Sequence, residues 1–247
     1  MALRGVGGTS STSAVTSIAV SNSNLTGTTP QSGDIVLIFG VWGGGSTKNV
    51  TSTGFAPPSG FDIIKLNLSG NIFFCLYKVA GASEPSTYTI SNAGAPGDYV
   101  SAICRSYSSE SATQFKAISG GFLGSTTSPG SSTNLPVNAV ITTAISDLVV
   151  IAGVGNQISN GQLVSSQTWT PPSGFGNSYI QTNDTTVSFS PVTMSADKLA
   201  VASGNTGTLT AGFQFTPTAN TPTVDICSVL IAISNSSTSS ATVAWTV

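Results

Sequence analysis

Any catalysis by this chain would depend on carboxylates, because its 247 residues include no histidine. Without an imidazole there is no ordinary general base to activate a serine or cysteine nucleophile, which excludes Ser-His-Asp and Cys-His arrangements. Nine acidic residues remain, and two carboxylates in one cleft could hydrolyse a glycosidic bond. A glycan depolymerase is therefore the enzyme class that the residue inventory leaves open.

The acidic residues, however, recur in matched places. Asp34 and Asp147 each precede an apolar run, and Asp98 and Asp225 precede a second pair of runs. A short acceptor side chain at a strand entry can bond the backbone of the preceding turn. This repetition favours a structural role over a single active site, and we expect no catalytic residue.

The sequence predicts neither a metal site nor a cofactor site. No CxxC pair is present and histidine is absent, so zinc is not expected. The stretch 40–48, GVWGGGSTK, places its lysine too late for a phosphate-binding loop, and no helix pattern follows it. We expect Cys75, Cys104 and Cys227 to be buried and unbridged. Cys104 and Cys227 are four alignment positions apart in corresponding strands, which predicts the same face for both.

Charge is scarce throughout the chain. Only 6% of residues are charged, against about a quarter in typical soluble domains, and the net charge is -2. The seven basic residues are scattered, so nucleic acid is not an expected partner. No apolar run reaches the roughly 18 residues of a membrane span, and the N-terminal residues lack the apolar core of a signal peptide. The shortage of charge indicates either a neutral, sugar-like exterior or extensive protein contacts in an assembly, and we favour the assembly.

One loop is written twice. FAPPSGF at 55–61 returns as WTPPSGF at 169–175, and a Pro-Pro-Ser-Gly run predicts a turn with proline at its second position. Upstream, an Asp, an apolar run and Gly-Val occur in both places, at 34–41 and 147–154. We therefore predict an internal duplication.

The short β-branched and aromatic runs between Gly, Asn, Ser and Pro clusters are typical of all-β proteins. We predict two tandem antiparallel β-sandwich domains, jelly-roll-like in form. The predicted boundaries are 1–12 for an N-terminal arm, 13–110 for the first copy, 111–131 for a junction, 132–235 for the second copy and 236–247 for a C-terminal tail.

Alternation assigns inward-facing residues to each copy. It predicts Ile35, Leu37 and Phe39 in one core and Leu148, Val150 and Ala152 in the other, with Val36 and Val149 also covered. The rings that flank the two repeated loops should be buried at a sandwich edge. They are Phe55 and Phe61 in the first copy and Trp169 and Phe175 in the second.

Residues that break the repeat are the candidates for an interface, where tryptophan is enriched. Trp42 aligns with Gly155, and Trp245 lies two residues from the C-terminus. The candidate interface set is Arg4, Trp42, Phe115, Phe122, Leu123 and Trp245.

The motifs together resemble a family of duplicated β-sandwich structural proteins of tailed bacteriophages. The resemblance rests on GDIVL at 33–37, PPSGF at 57–61, YKVAGASEP at 77–85 and DKL at 197–199. It extends over roughly residues 14 to 233. Phe61 and Phe175 stand where the family often has Trp, and Arg105-Ser106-Tyr107 stands where Tyr-Arg-Gly is usual.

This resemblance implies a virion protein, assembled in the host cytoplasm, without catalytic activity. A capsid decoration (cement) protein would bind the major capsid protein as a homo-oligomer, with a trimer as the expected form. The alternatives are a tail fibre, spike or adhesin module that binds host-surface glycan, and the glycan depolymerase. The absence of heptads and of β-helix repeats favours decoration over a fibre shaft.

Overall fold

The structure is a computed structural model in which all the regular elements are strands. It describes residues 1–11, 13, 15–21, 29–43, 54–68, 71–93, 99–108, 115–127, 132–137, 142–143, 147–157, 164–182, 191–201, 204–206, 209–217 and 223–234. These residues form no α-helix, and therefore no helix among them is long and apolar enough to cross a membrane. The prediction of an all-β, antiparallel protein is confirmed.

The first half of the chain, defined here as residues 2–108, forms two antiparallel sheets. Five strands build inner sheet 1 in the order β1-β8-β3-β6-β5, and three build outer sheet 1 in the order β2-β7-β4. The strands are β1 (Ala2–Ser10), β2 (Ser17–Ser21), β3 (Ile35–Gly43), β4 (Phe55–Ala56), β5 (Asp62–Leu68), β6 (Asn71–Val79), β7 (Thr87–Asn92) and β8 (Tyr99–Ser108).

The second half, defined as residues 115–233, follows the same plan. Its strands are β9 (Phe115–Thr127), β10 (Ser132–Val137), β11 (Thr142–Thr143), β12 (Leu148–Gln157), β13 (Val164–Thr170), β14 (Gly176–Thr182), β15 (Val192–Leu199), β16 (Gly204–Asn205), β17 (Leu209–Pro217) and β18 (Thr223–Ile233). Inner sheet 2 has the order β9-β18-β12-β15-β14, and outer sheet 2 has the order β10-β17-β13. The short strands β11 and β16 pair separately. Apart from this extra pair, strand orders and directions match those of the first half.

Each outer sheet packs on its own inner sheet. In the first half, Ile18 and Ile90 from the outer sheet share a buried cluster with Val36 and Ile38 of β3. In the second half, the corresponding cluster contains Val149 and Ile151 of β12 together with Ala211 of β17. Each half is therefore a β-sandwich with a core of its own, and the predicted burial of Val36 and Val149 is confirmed.

The two inner sheets pack against each other. Ile35, Leu37 and Phe39 of β3 share one buried cluster with Leu148, Val150 and Ala152 of β12. Our assignment of these two sets to separate cores was wrong, because alternate residues of a strand point to opposite faces and the other half of the chain covers the second face. The four sheets thus form four layers, and the continuously apolar run of β3 reflects burial on both sides.

Close packing within the first half requires a glycine in β3. A Cβ atom added at Gly40 would overlap the ring of Phe74 and would lie 2.7 Å from the carbonyl oxygen of Ser101. The ring of Phe74 therefore occupies the space that a side chain at this position would need.

The segments predicted to be an arm and a junction supply edge strands to the inner sheets. β1 pairs with β8, and β9 pairs with β18. Sequence patterning did not reveal β1 because its central residues, RGVGG, contain only one apolar side chain of any size. Residues 2–10 and 115–127 are therefore parts of the sandwiches.

Candidate functional site

The densest polar cluster lies between the two inner sheets and is centred on Arg105 of β8. Its side chain is fully buried, and Nη1 lies 2.7 Å from Oδ2 of Asp197 on β15. Nε donates to Oγ of Ser195 at 2.7 Å, and Nη1 also donates to the hydroxyl of Tyr107 at 3.2 Å. Nη2 donates to the carbonyl oxygens of Ser195, at 3.0 Å, and of Asn177. Five acceptors thus match the five N–H donors of the guanidinium.

A β-bulge places Asn177 in this cluster. The register of β14 against β15 shifts between Gly176 and Tyr179, and Asn177 has a φ of 46°. Asparagine tolerates this left-handed conformation better than most residues. Its carbonyl accepts from Arg105, while its side-chain amide donates to Oδ1 of Asp197 at 2.8 Å. The hydroxyl of Tyr107 donates to Oδ2 of Asp197 at 3.0 Å, which completes the cluster.

This Arg105 cluster is built to hold the two halves together rather than to catalyse a reaction. Arg105, Tyr107 and Ser195 have no exposed surface, and Asp197 is 5% exposed, so a substrate has no route to them. Burial raises the pKa of the Tyr107 phenol well above its usual value, which keeps it protonated. A protonated phenol and a carboxylate already paired with arginine provide no general base.

A second polar cluster lies at the corner formed by the repeated loop of the first half. Nζ of Lys78 lies 2.9 Å from the Glu84 carboxylate, which also accepts from the amide of Gly81 at 2.7 Å and from the hydroxyl of Tyr88 at 3.0 Å. Nζ lies 5.6 Å from the centre of the Phe61 ring, close enough for a cation–π contact. The YKVAGASEP motif therefore forms a structural corner.

The second half has a simpler version of the corner. Nζ of Lys198 lies 4.6 Å from the centre of the Phe175 ring. Phe61 and Phe175 are both buried, as predicted, and Phe55 and Trp169 are partly buried against their own cores.

The turns differ in register from our prediction. The amide of Phe61 donates to the carbonyl of Pro58 at 3.2 Å, and that of Phe175 to Pro172 at 3.1 Å. Proline is therefore the first turn residue and not the second. Gly60 and Gly174, with φ of 79° and 82°, hold the third position, which requires a positive φ in a type II turn.

The corner predicts a pH-dependent stability in the acidic range. Burial favours a raised pKa for Glu84, but hydrogen bonds from Lys78, Gly81 and Tyr88 outweigh it and lower the pKa below its usual value. A carboxyl whose pKa is lowered on folding stabilises the fold above its unfolded-state pKa. This stabilisation should disappear as the pH falls through the lowered, folded-state pKa.

Urea unfolding of the parent and of E84Q between pH 6 and pH 3 measures this contribution. We expect the two stabilities to converge as the pH falls, because glutamine cannot titrate. A constant difference over the whole range would contradict the assignment.

The five described residues of the candidate interface set lie on three strands, β1, β3 and β9. Arg4 on β1 forms an ion pair with the nearly buried Asp34, and it keeps 27% of its side chain exposed. Phe115, Phe122 and Leu123 lie on β9, where Phe122 is in register with Cys227. Trp245 lies outside the described residues.

Trp42 requires a correction. It is fully buried in the core of the first sandwich, so its ring cannot contact a partner at the surface. Its lack of a counterpart in the second half reflects a difference in core packing.

The predicted side-chain capping of a strand entry is confirmed for Asp34. Asp225 lies within β18 and not before it, and Asp98 lies outside the described residues. Oδ2 of Asp34 accepts from the amide of Gln31 at 2.7 Å, and the backbone carbonyl of Asp34 accepts from Ala80 at 2.7 Å. The carbonyl of Asp147 accepts from Ala200 at the same distance. Asp34 and Asp147 are both buried.

All three cysteines are buried and free, as predicted. Cys75 of β6 and Cys227 of β18 line a small, largely apolar cavity of about 20 Å³ between the inner sheets. Burial raises the pKa of the Cys75 and Cys104 thiols, which makes both poor nucleophiles. Among the described residues, no cluster of three or more His, Cys, Asp or Glu side chains could hold a metal ion.

The predicted shared face of Cys104 and Cys227 was wrong. Cys104 belongs to the core of the first sandwich, whereas Cys227 faces the opposite inner sheet. In register, Cys104 pairs with Ile38 of β3 and Cys227 with Val154 of β12. The alignment of the two halves was therefore one residue out in these strands, and a shift of one residue reverses the face of every side chain.

Sequence reasoning missed the Arg105 cluster. Arg105 is one of the seven scattered basic residues, but it follows the apolar run of β8 and precedes Tyr107. A lone arginine within a strand that is apolar on both faces is a signal for a buried ion pair. Its partner Asp197 could not have been found from spacing, because 92 residues separate the two.

Comparisons with protein families, curated proteins and solved structures give no significant match to this chain.

Proposed function

We propose that this chain is a non-enzymatic virion protein of a tailed bacteriophage that binds and stabilises the outer surface of the capsid. The observation that carries the proposal is the position of the charged groups. Among the described residues, three ion pairs link β1 to the residue before β3, β6 to the loop after it, and β8 to β15, and their carboxylates are only 3%, 2% and 6% exposed. These groups maintain the fold, so they are not available for acid-base chemistry. The low share of charged residues, 6%, favours neutral protein contacts.

The connectivity supports the same proposal. In the first half, β1 pairs with β8, β2 with β7 and β3 with β6, which is a nested order. In the second half, β9 pairs with β18, β10 with β17 and β12 with β15. We infer that each half is jelly-roll-like and that the two arose by internal duplication. Jelly rolls are common in viral capsid and lectin domains.

The proposed partner is the major capsid protein, and the proposed form is a homo-oligomer, with a trimer expected. Contacts would involve Arg4, whose side chain is 27% exposed, and residues 236–247 with Trp245, which lie outside the described residues. A protein that prefers the assembled shell to free subunits stabilises the shell by linkage. Heat resistance of the particle is therefore the property to measure.

Binding to stripped capsids tests this function. The full chain and W245A would each be sedimented with shells of the encoding phage from which the protein has been removed. V201S is the matched control, because Val201 is 92% exposed and lies within the second half. We expect the parent and V201S to bind and to raise heat resistance, and W245A to bind at least tenfold more weakly.

Three outcomes would contradict the proposal. A parent chain that remains in the supernatant would exclude the shell as partner. If labelling of this protein on intact particles is confined to the phage tail, the adhesin is favoured. If the protein cleaves host-surface glycan, the depolymerase is favoured.

A further inference from the structure

The contact between the inner sheets is polar on one side and apolar on the other. Leu37 of β3 lies in register between Arg105 of β8 and Tyr77 of β6. At the matching position of the second half, Val150 lies between Ile231 and Asp197. Arg105 thus corresponds to Ile231, and Tyr77 corresponds to Asp197.

These correspondences define two related contacts. One is the ion pair of Arg105 with Asp197, at 2.7 Å. The other position has Tyr77 and Ile231, of which Ile231 is buried in the cluster between the sheets and Tyr77 is partly buried against that cluster. The register position that is charged on one side is therefore uncharged on the other.

We propose that the Arg105–Asp197 pair makes each inner face selective for the unlike half. The alternative is that two copies meet through like faces in the same packing. Two first halves would place Arg105 against Tyr77, and two second halves would place Asp197 against Ile231. Either arrangement buries a charge without its counter-ion, which is strongly unfavourable.

The surrounding groups sharpen this selection. The carbonyls of Asn177 and Ser195 accept from Arg105, and both residues belong to the second half. In a first half, the position of Asn177 is held by Ile63, which pairs with Leu76. The position of Ser195 is held by Cys75, which pairs with Phe39. Every residue has a backbone carbonyl, so the group that distinguishes the halves is the hydroxyl of Ser195, which accepts from Nε of Arg105 at 2.7 Å and is replaced by a thiol at Cys75. The inner face of each half therefore binds the inner face of the other half, which belongs either to the same chain or to a second copy.

The test removes the polarity and keeps the burial. The variant R105I/D197Y in the full chain places at Arg105 the residue type of its counterpart Ile231, and at Asp197 that of its counterpart Tyr77. The contact between like halves and the contact between unlike halves then bury similar, uncharged side chains. The matched control is K78M/E84Q, which removes an ion pair that lies wholly within the first half. The parent and both variants would be unfolded in urea, refolded over a hundredfold range of concentration and analysed by size exclusion with light scattering.

We expect the parent and K78M/E84Q to refold to one mass at every concentration. At the highest concentration, R105I/D197Y should form species of twice that mass or more, at a fraction at least tenfold above the parent. R105L/D197L repeats the test with a different apolar filling. If the double variants refold only to the parent mass, the pair is not selective. If neither variant folds, the cluster is needed for folding itself, and the proposal is also wrong.

Discussion

Replacing Arg105 by methionine is expected to lower the free energy of unfolding by about 3–5 kcal/mol. The substitution leaves the Asp197 carboxylate without its cation in a site that is 5% exposed. It also removes the hydrogen bonds that the guanidinium donates to the carbonyls of Asn177 and Ser195. Urea unfolding measured by circular dichroism gives the change, provided that the m-value stays constant.

The control for this prediction is K78M. Lys78 also pairs with a carboxylate, but its side chain is 18% exposed, so water can reach the site more easily. We expect a smaller loss, because partly exposed ion pairs contribute less than buried ones. Equal losses of unfolding free energy for R105M and K78M would show that the buried Arg105 cluster contributes no more to stability than the partly exposed Lys78 pair.

The apolar double variant R105M/D197L should recover much of the stability that R105M loses. Replacing a complete buried ion pair with apolar side chains is often neutral, whereas removing one partner is costly. Two independent losses that simply add would contradict the coupling between Arg105 and Asp197.

Truncation of Trp42 to alanine should lower the free energy of unfolding by about 3–5 kcal/mol, as for other large-to-small changes in a core. The indole is fully buried within the first sandwich. The matched control is I63A, because Ile63 is 38% exposed and such surface changes usually stay within about 0.5 kcal/mol. Unchanged stability of W42A together with weaker capsid binding would restore Trp42 to the candidate interface.

Local patterns predicted the strands and the corners of this fold. Alternating and apolar runs placed β3 and β12, and the repeated Pro-Pro-Ser-Gly stretch located two buried rings, Phe61 and Phe175. These features depend on neighbours in sequence, which a single chain displays directly. The sequence therefore indicated which strands and which buried rings belong to each half.

The mutual packing of the halves could not be predicted in the same way. A continuous apolar run shows that both faces of β3 are covered, but it does not identify what covers them. Arg105 and Asp197 are far apart in sequence, and their contact exists only once both sandwiches have formed. The face of Cys227 depended on register, where an error of one residue reverses the result.

The most direct test of the four-layer arrangement is the reactivity of the three cysteines in the native full chain. Cys75 and Cys227 lie between the inner sheets, whereas Cys104 lies inside the first sandwich and serves as an internal control. A pulse of N-ethylmaleimide followed by peptide mass spectrometry measures each thiol separately. We expect all three thiols to remain protected and to react together only when urea unfolds the protein. Rapid labelling of Cys75 and Cys227, with Cys104 still protected, would show that the inner sheets do not cover each other.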